Sequence, residues 1–223
     1  MAIREISSYH LGDMLLVFEE ETEFHRVGFY MIPWSMQKDR VLDRKFYRIN
    51  SLAQVKIAGD MYPNCYGNGQ TMRNGESANR MDYKSQKEVA TECGKEIHTY
   101  FEDARGYELE NVITYYHGED SFEMKNIFTN KAEKKVSLEM LSSFEMGDIS
   151  PFLEGIGTDA LLVHRLRSKW SHEGRLVTET VEDLQLEPSW SNWSVGVERF
   201  GQRGSMPVMK YFPFVAVEDS VNH

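Results

Sequence analysis

The stretch "KVSLEMLSSF", Lys135–Phe144, sets Val136, Leu138 and Met140 on one parity and Ser137 and Glu139 on the other. Side chains of an extended strand point alternately to opposite faces, so this spacing gives one apolar and one polar face. The helical period of 3.6 is scarce along the chain, whereas period two recurs almost everywhere. MLLVFEE from Met14, FHRVGFYMI from Phe24, YRINSLAQVKI from Tyr47 and EIHTYFED from Glu96 repeat the pattern. So do NVITYYH from Asn111, FEMKNIFTN from Phe122, ALLVHRLRSKW from Ala160 and KYFPFVAVED from Lys210, while RLVTETVED from Arg175 alternates with each face mixed.

With Gly, Asn, Asp or Glu at the joints, these segments predict about a dozen strands in an all-β fold, a large antiparallel β-sandwich. "FTNKAEKKVSLEML" and "YHGEDSFEM" each place a polar stretch between two alternating runs and read as hairpins. The irregular regions are expected at 60–80 and 147–159, and long loops on a rigid sheet are where binding residues concentrate. No linker composition or repeat divides the chain, so residues 1–223 are expected to form one domain.

The 223 residues carry a formal charge of −10, which repels a phosphate backbone and argues against nucleic acid or an anionic membrane as partner. Cys65 and Cys93 are too few for a disulfide framework or a zinc ribbon, and no short histidine spacing suggests a metal, so no cofactor or metal is expected. The N-terminal twenty residues have neither a charged leader with a long apolar core nor a cleavage site, which predicts a cytoplasmic protein.

Gly67-Asn68-Gly69 lacks the third glycine and the Lys-Ser/Thr of a phosphate loop. Glu179, Glu182, Asp183 and Glu187 offer a candidate catalytic pair, but Glu179 and Glu182 point to opposite faces of a strand, and acids at a strand end are ordinary turn residues. Trp190 and Trp193 can stack on the apolar face of a sugar, and serve equally as half-buried core residues.

The stretch that contains them runs into "ERFGQRGSMPV", Glu198–Val208, and "KYFPFVAVED", Lys210–Asp219. Trp190 to Asp219 resembles the end of the N-terminal domain of α-galactosidases of glycoside hydrolase family 36, whose members share a similar pattern. The likeness extends back through "RSKWSHEGRLVTETVEDLQLEPSW", "NIFTNKAEKKVSLEMLSSFEMGDISPF" and "EDARGYELENVITYYHG" to about Glu102. In the first hundred residues "GNGQTMRNGES" is the best anchor.

The resemblance implies a β-supersandwich, similar to galactose mutarotase, standing before a catalytic (β/α)8 barrel. Family members retain configuration through a covalent intermediate, with both catalytic aspartates in the barrel. The Lys-Trp-Asp-Met-Asn type stretch that carries the nucleophile does not occur here, so this chain is expected to hold no catalytic residue and to be a fragment or accessory domain. Its expected partners are that barrel, α-galactosides such as melibiose and raffinose, and further copies through the parent enzyme. The alternatives are a free-standing carbohydrate-binding module and a mutarotase-like isomerase using His98, His117 or His164.

In many members an N-terminal loop with a Gly-Asp-Phe-Arg type motif reaches an active site. The comparable Gly69-Gln70-Thr71-Met72-Arg73 has Gln where that motif has Asp, which leaves Arg73 as the candidate for a sugar hydroxyl or a neighbouring subunit. A final strand cut off from the rest of its enzyme is expected to show an unpaired edge or an exposed apolar patch.

Overall fold

The computed structural model describes residues 3–39, 49–61, 74–153, 158–187, 197–201 and 209–222. Among them the fold is all-β and antiparallel, of the sandwich type, with one four-residue helix, α1 (Glu76–Asn79), and one 3-10 turn at Trp34–Met36. The described residues up to Pro151 form one compact unit and those from Phe152 onward a second.

The first unit opens with β1 (Ile3–Leu11), β2 (Met14–Glu21) and β3 (Arg26–Pro33), paired in that order. A short strand, β4 (Val55–Ile57), precedes a meander of β5 (Asp82–Ala90), β6 (Gly94–Asp103), β7 (Tyr107–Tyr116) and β8 (Phe122–Asn130). The inner faces of the two sheets meet in one core. Leu16, Phe18, Val27 and Phe29 from the first pack with Ile97, Phe101, Leu109 and Ile113 from the second. A polar tie crosses the same interior: Gln86 donates to Thr99 Oγ1 at 2.9 Å, while its carbonyl accepts from the hydroxyls of Ser7 and Tyr9.

The expected hairpin at "YHGEDSFEM" is present as β7 and β8, in register from Tyr107↔Asn130 to Tyr115↔Phe122. The one expected at "FTNKAEKKVSLEML" is not: β9 (Leu138–Leu141) pairs with β4 instead of β8. The expected strand from Tyr47 shortens to β4 among the described residues. Ile49 and Asn50 instead pass directly over Gly28, where a Cβ would come within 2.3 Å of Asn50 O and 2.6 Å of Ile49 Cγ2. Only a residue without a side chain allows that crossing.

β2 and β3 are buried on both faces. On the outer face the apolar row Leu15, Val17, Tyr30 and Ile32 ends in a directly opposed charged pair, Glu21 and Arg26. On the inner face Glu20 accepts from Arg4 Nη2 at 2.6 Å and lies 3.1 Å from His25 Nδ1. Burial penalises the charge on Glu20, but these bonds outweigh it and hold its carboxyl below the ordinary glutamate value. A carboxylate depressed in the folded state contributes stability above its unfolded pKa, and that contribution is lost as pH falls through the lower folded value. Urea melts at successive pH values below 4.5, the ordinary glutamate value, therefore show a shallower acid loss for E20Q than for the parent chain. Equal slopes would remove Glu20 from the acid response.

The second unit contains β10 (Leu161–Lys169), β11 (His172–Thr180) and β12 (Lys210–Asp219), in the order β11-β10-β12. Its centre is Arg165, whose side chain is 2% exposed. The guanidinium pairs with Glu179 and with Glu198 at 2.8 Å, and lies 4.9 Å from the ring centre of Phe200 and 5.7 Å from that of Tyr211. β12 is an edge strand among the described residues and exposes Phe214, Val215 and Val217.

Candidate functional site

The most elaborately built polar region of the first unit lies at the two ends of the 62–73 segment, the core of the loop singled out by sequence. Met61 and Glu76 clamp its base: Glu76 N donates to Met61 O at 3.2 Å, and Met61 N donates to Glu76 Oε2 at 3.0 Å. The second carboxylate oxygen of Glu76 takes Arg80 at 2.8 Å, an i,i+4 pair on α1. Beside the clamp, Arg105 forks onto the buried Asp103, donating from Nε at 2.9 Å and from Nη2 at 2.6 Å, and its Nη2 also donates to Ser77 Oγ at 2.8 Å. Its Nη1 stands 3.6 Å from Asp60. The bonds to Asp103 raise Arg105 above its ordinary pKa, against the opposing effect of burial, so this clamp stays charged throughout the working pH range.

On the other side of the segment Asn74 takes the left-handed backbone region, φ 51°, which asparagine tolerates. Its N–H donates to Gln54 Oε1 at 2.5 Å, and its carbonyl accepts from Asn79 Nδ2 at 2.7 Å. Asn79 Oδ1 in turn accepts from Arg26 Nη2 at 2.5 Å, and Arg26 Nη1 donates to Glu21 Oε2 at 3.0 Å. In the opposite direction Gln54 N donates to Ser142 Oγ, Asn126 Nδ2 to Ser142 O, and Asn111 Nδ2 to Asn126 Oδ1, each at 2.8 Å. One chain of charge and amide hydrogen bonds thus runs from Glu21 to Asn111 and passes through the residue next to Arg73. Its chemistry is positioning: its hydrogen bonds fix the described residues on either side of positions 62–73.

Sequence reasoning did not single out Glu21, Arg26 or Asp103, because charged residues are mostly exposed and nothing local names a buried partner. The available signal was their place beside short turns, Glu21 and Arg26 being separated by four residues and Asp103 and Tyr107 by three. Arg73, Trp190 and Trp193 themselves, the predicted sugar contacts, lie outside the described residues.

Of the three histidines named for proton transfer, His98 and His117 belong to the first unit and His164 to the second. His98 lies on the outer face of the meander with Nδ1 2.7 Å from Glu110 and Nε2 3.1 Å from Glu96. Carboxylates can only accept, so the doubly protonated ring satisfies both contacts and the neutral ring one. Tyr100 stacks beside it at 6.2 Å, and Lys87 stands 5.2 Å over the Tyr100 ring. His117 follows β7, donates its backbone N–H to Cys93 O and meets Tyr115 edge-on. His164 belongs to the second unit and sits 2.9 Å from both Thr178 Oγ1 and Glu218 Oε2.

The acids near the end of β11 have structural partners. Asp183 and Thr180 exchange hydrogen bonds, Thr180 N to Asp183 Oδ2 at 3.0 Å and Asp183 N to Thr180 Oγ1 at 2.9 Å, which closes a turn. Glu179 pairs with Arg165, and Glu182 Oε1 accepts from Asp159 N at 3.3 Å. A pocket of ≈ 340 Å³ is lined by Asp13, Met14, Met31, Ile32, Pro33 and Ser35, with Asp13 its only carboxylate among the described residues. Trp34, between two of these residues, stacks on His10 at 3.7 Å. No group of described residues has a metal-holding arrangement, and no helix of the described residues is long and apolar enough to cross a membrane.

No family model matches the chain, and no curated protein matches it.

Proposed function

We propose that this chain is the non-catalytic N-terminal β-sandwich of a retaining α-galactosidase acting on melibiose- and raffinose-type sugars, where it supports a catalytic barrel and an oligomer. The observation that carries this reading is the family-like run from Trp190 to Asp219, with Glu198–Val208 and Lys210–Asp219 its most specific parts. The antiparallel sandwich-type fold agrees with it.

The purified chain is expected to release no nitrophenol from a nitrophenyl α-galactoside. Release that survives repurification would overturn the non-catalytic role. The positive test is assembly: a family 36 barrel expressed without its own N-terminal domain should become soluble when this chain is co-expressed, and failure to co-purify would count against the supporting role.

A second reading, a free-standing carbohydrate module, has one observation in its favour. The pocket sets a carboxylate and a hydroxyl, Asp13 and Ser35, among the apolar Met14, Met31, Ile32 and Pro33, the mixed lining of a small-molecule site. Calorimetric titration with galactose and melibiose separates the two, since heat abolished by D13A favours the module.

A further inference from the structure

Among the described residues the second unit leaves the β12 edge open and carries opposite charges at its two ends. Ser220 N donates to Ala160 O at 2.8 Å, and the antiparallel register continues as Leu161↔Asp219, Leu162↔Glu218, Val163↔Val217, His164↔Ala216 and Arg165↔Val215. Backbone groups alternate along such a ladder. Those of Glu218 and Ala216 therefore point to β10, and those of Val215 and Val217 point away from it.

The side chains along this edge are apolar and open: Phe214 is 45% exposed, Val215 52% and Val217 38%. At one end of the sheet stand Arg167, Lys169, Arg175 and Lys210, with the nearby Glu173 carboxylate taken by Ser171 N. At the other end stand Asp159, Glu182, Asp183, Glu218 and Asp219.

We infer that β12 is the docking edge for a second copy of this chain, the two β12 strands pairing antiparallel about a two-fold axis at Ala216. Val215 then lies opposite Val217 of the partner subunit, and each pair exchanges both backbone bonds. The antiparallel arrangement lays the cationic end of each sheet beside the acidic end of the other, so charge selects this orientation over the parallel one.

The pairing is also bounded. Residues 212–214 bulge opposite the single residue Leu166, and Pro213 within the bulge has no N–H to offer. Bulge and proline are devices that end edge pairing, so the contact stops beyond Val215. A two-fold contact closes on itself and does not grow into fibres. This inference is argued from the chain's own edge and charges, and a monomeric chain would overturn it while leaving the barrel-supporting part of the galactosidase reading intact.

Sedimentation equilibrium of the purified chain tests it. A reversible monomer–dimer equilibrium in the micromolar range is expected, weakening as salt is raised because the end charges are screened. V217P removes an N–H that faces away from β10, so the chain's own ladder is spared. It should raise the dissociation constant at least about tenfold, the loss of roughly one strong contact, with the circular dichroism unchanged. V215K provides the same reading should V217P fail to fold, and L176K on the opposite edge strand should leave the dimer unaltered. A monomer at every concentration would overturn the inference. So would a dimer indifferent to both β12 variants, or one abolished by L176K alone.

Discussion

Replacing Arg26 with alanine lowers the unfolding free energy of the first unit by about 3–5 kcal/mol, the loss typical of a buried ion pair deprived of one partner. The reason is the state in which Glu21 is left. Glu21 is 0% exposed, and its Oε2 depends on Arg26 at 3.0 Å, while Oε1 is buried with no hydrogen bond. Without the guanidinium a buried carboxylate must either stay charged in a poor environment or take up a proton, and both cost stability. Arg26 also holds Asn79 Oδ1 and, at 3.3 Å, Ile49 O, so the hydrogen-bond chain at the base of the 62–73 segment loses its charged end. R26M combined with E21L should recover most of the loss, because a well-packed apolar pair removes the desolvation penalty along with the attraction. Urea denaturation, read by hydrogen exchange at β2 and β3 amides, checks both variants. An R26A chain within 1 kcal/mol of the parent would show, on the ordinary scale of surface substitutions, that the pair is not structural.

Replacing Arg165 with alanine destabilises the second unit by about 2–3 kcal/mol, below the full cost of a buried pair because water reaches the stranded carboxylates. Glu179 is 27% exposed and Glu198 37%, so each can be partly rehydrated once the cation has gone. The remainder of the loss is packing, since Phe200 and Tyr211, 5.3 Å apart, both face the guanidinium. R165K should recover little, because a point charge cannot serve two carboxylates and two ring faces with one planar group. The fluorescence of Trp170, in the turn between β10 and β11, can follow the local transition. A lysine variant as stable as the parent would mean that charge alone matters at this position.

Much of the fold could be read from hydrophobic alternation, and the exceptions have identifiable causes. β2, β3, β6, β7, β8, β10, β11 and β12 each overlap a segment read as an alternating strand, although β6, β7 and β11 begin before theirs. β1 and β5 were not anticipated. Ser7 and Gln86 occupy inward positions on them and are satisfied by each other and by Thr99, a compensation that a single segment does not display. The pairing of β9 with β4 joins residues more than eighty positions apart, and nothing local distinguishes it from the hairpin with β8 that proximity suggests.

The candidate site was legible only as a place. Gly, Asn and Pro between 60 and 80 marked a loop, but the residues that brace it come from seven separate regions between Glu21 and Ser142, and most look like surface charges or amides in isolation. What the sequence by itself determined was the strand content, the faces of individual strands, and the family-like run that motivates the functional proposal. All of these depend on residue type and short spacing. What only the tertiary structure decided was which charges are buried, which amides join into one network, and which edge remains open. Those outcomes depend on desolvation and pairing between distant segments, and a charged or amide side chain carries no local mark of the partner that will satisfy it.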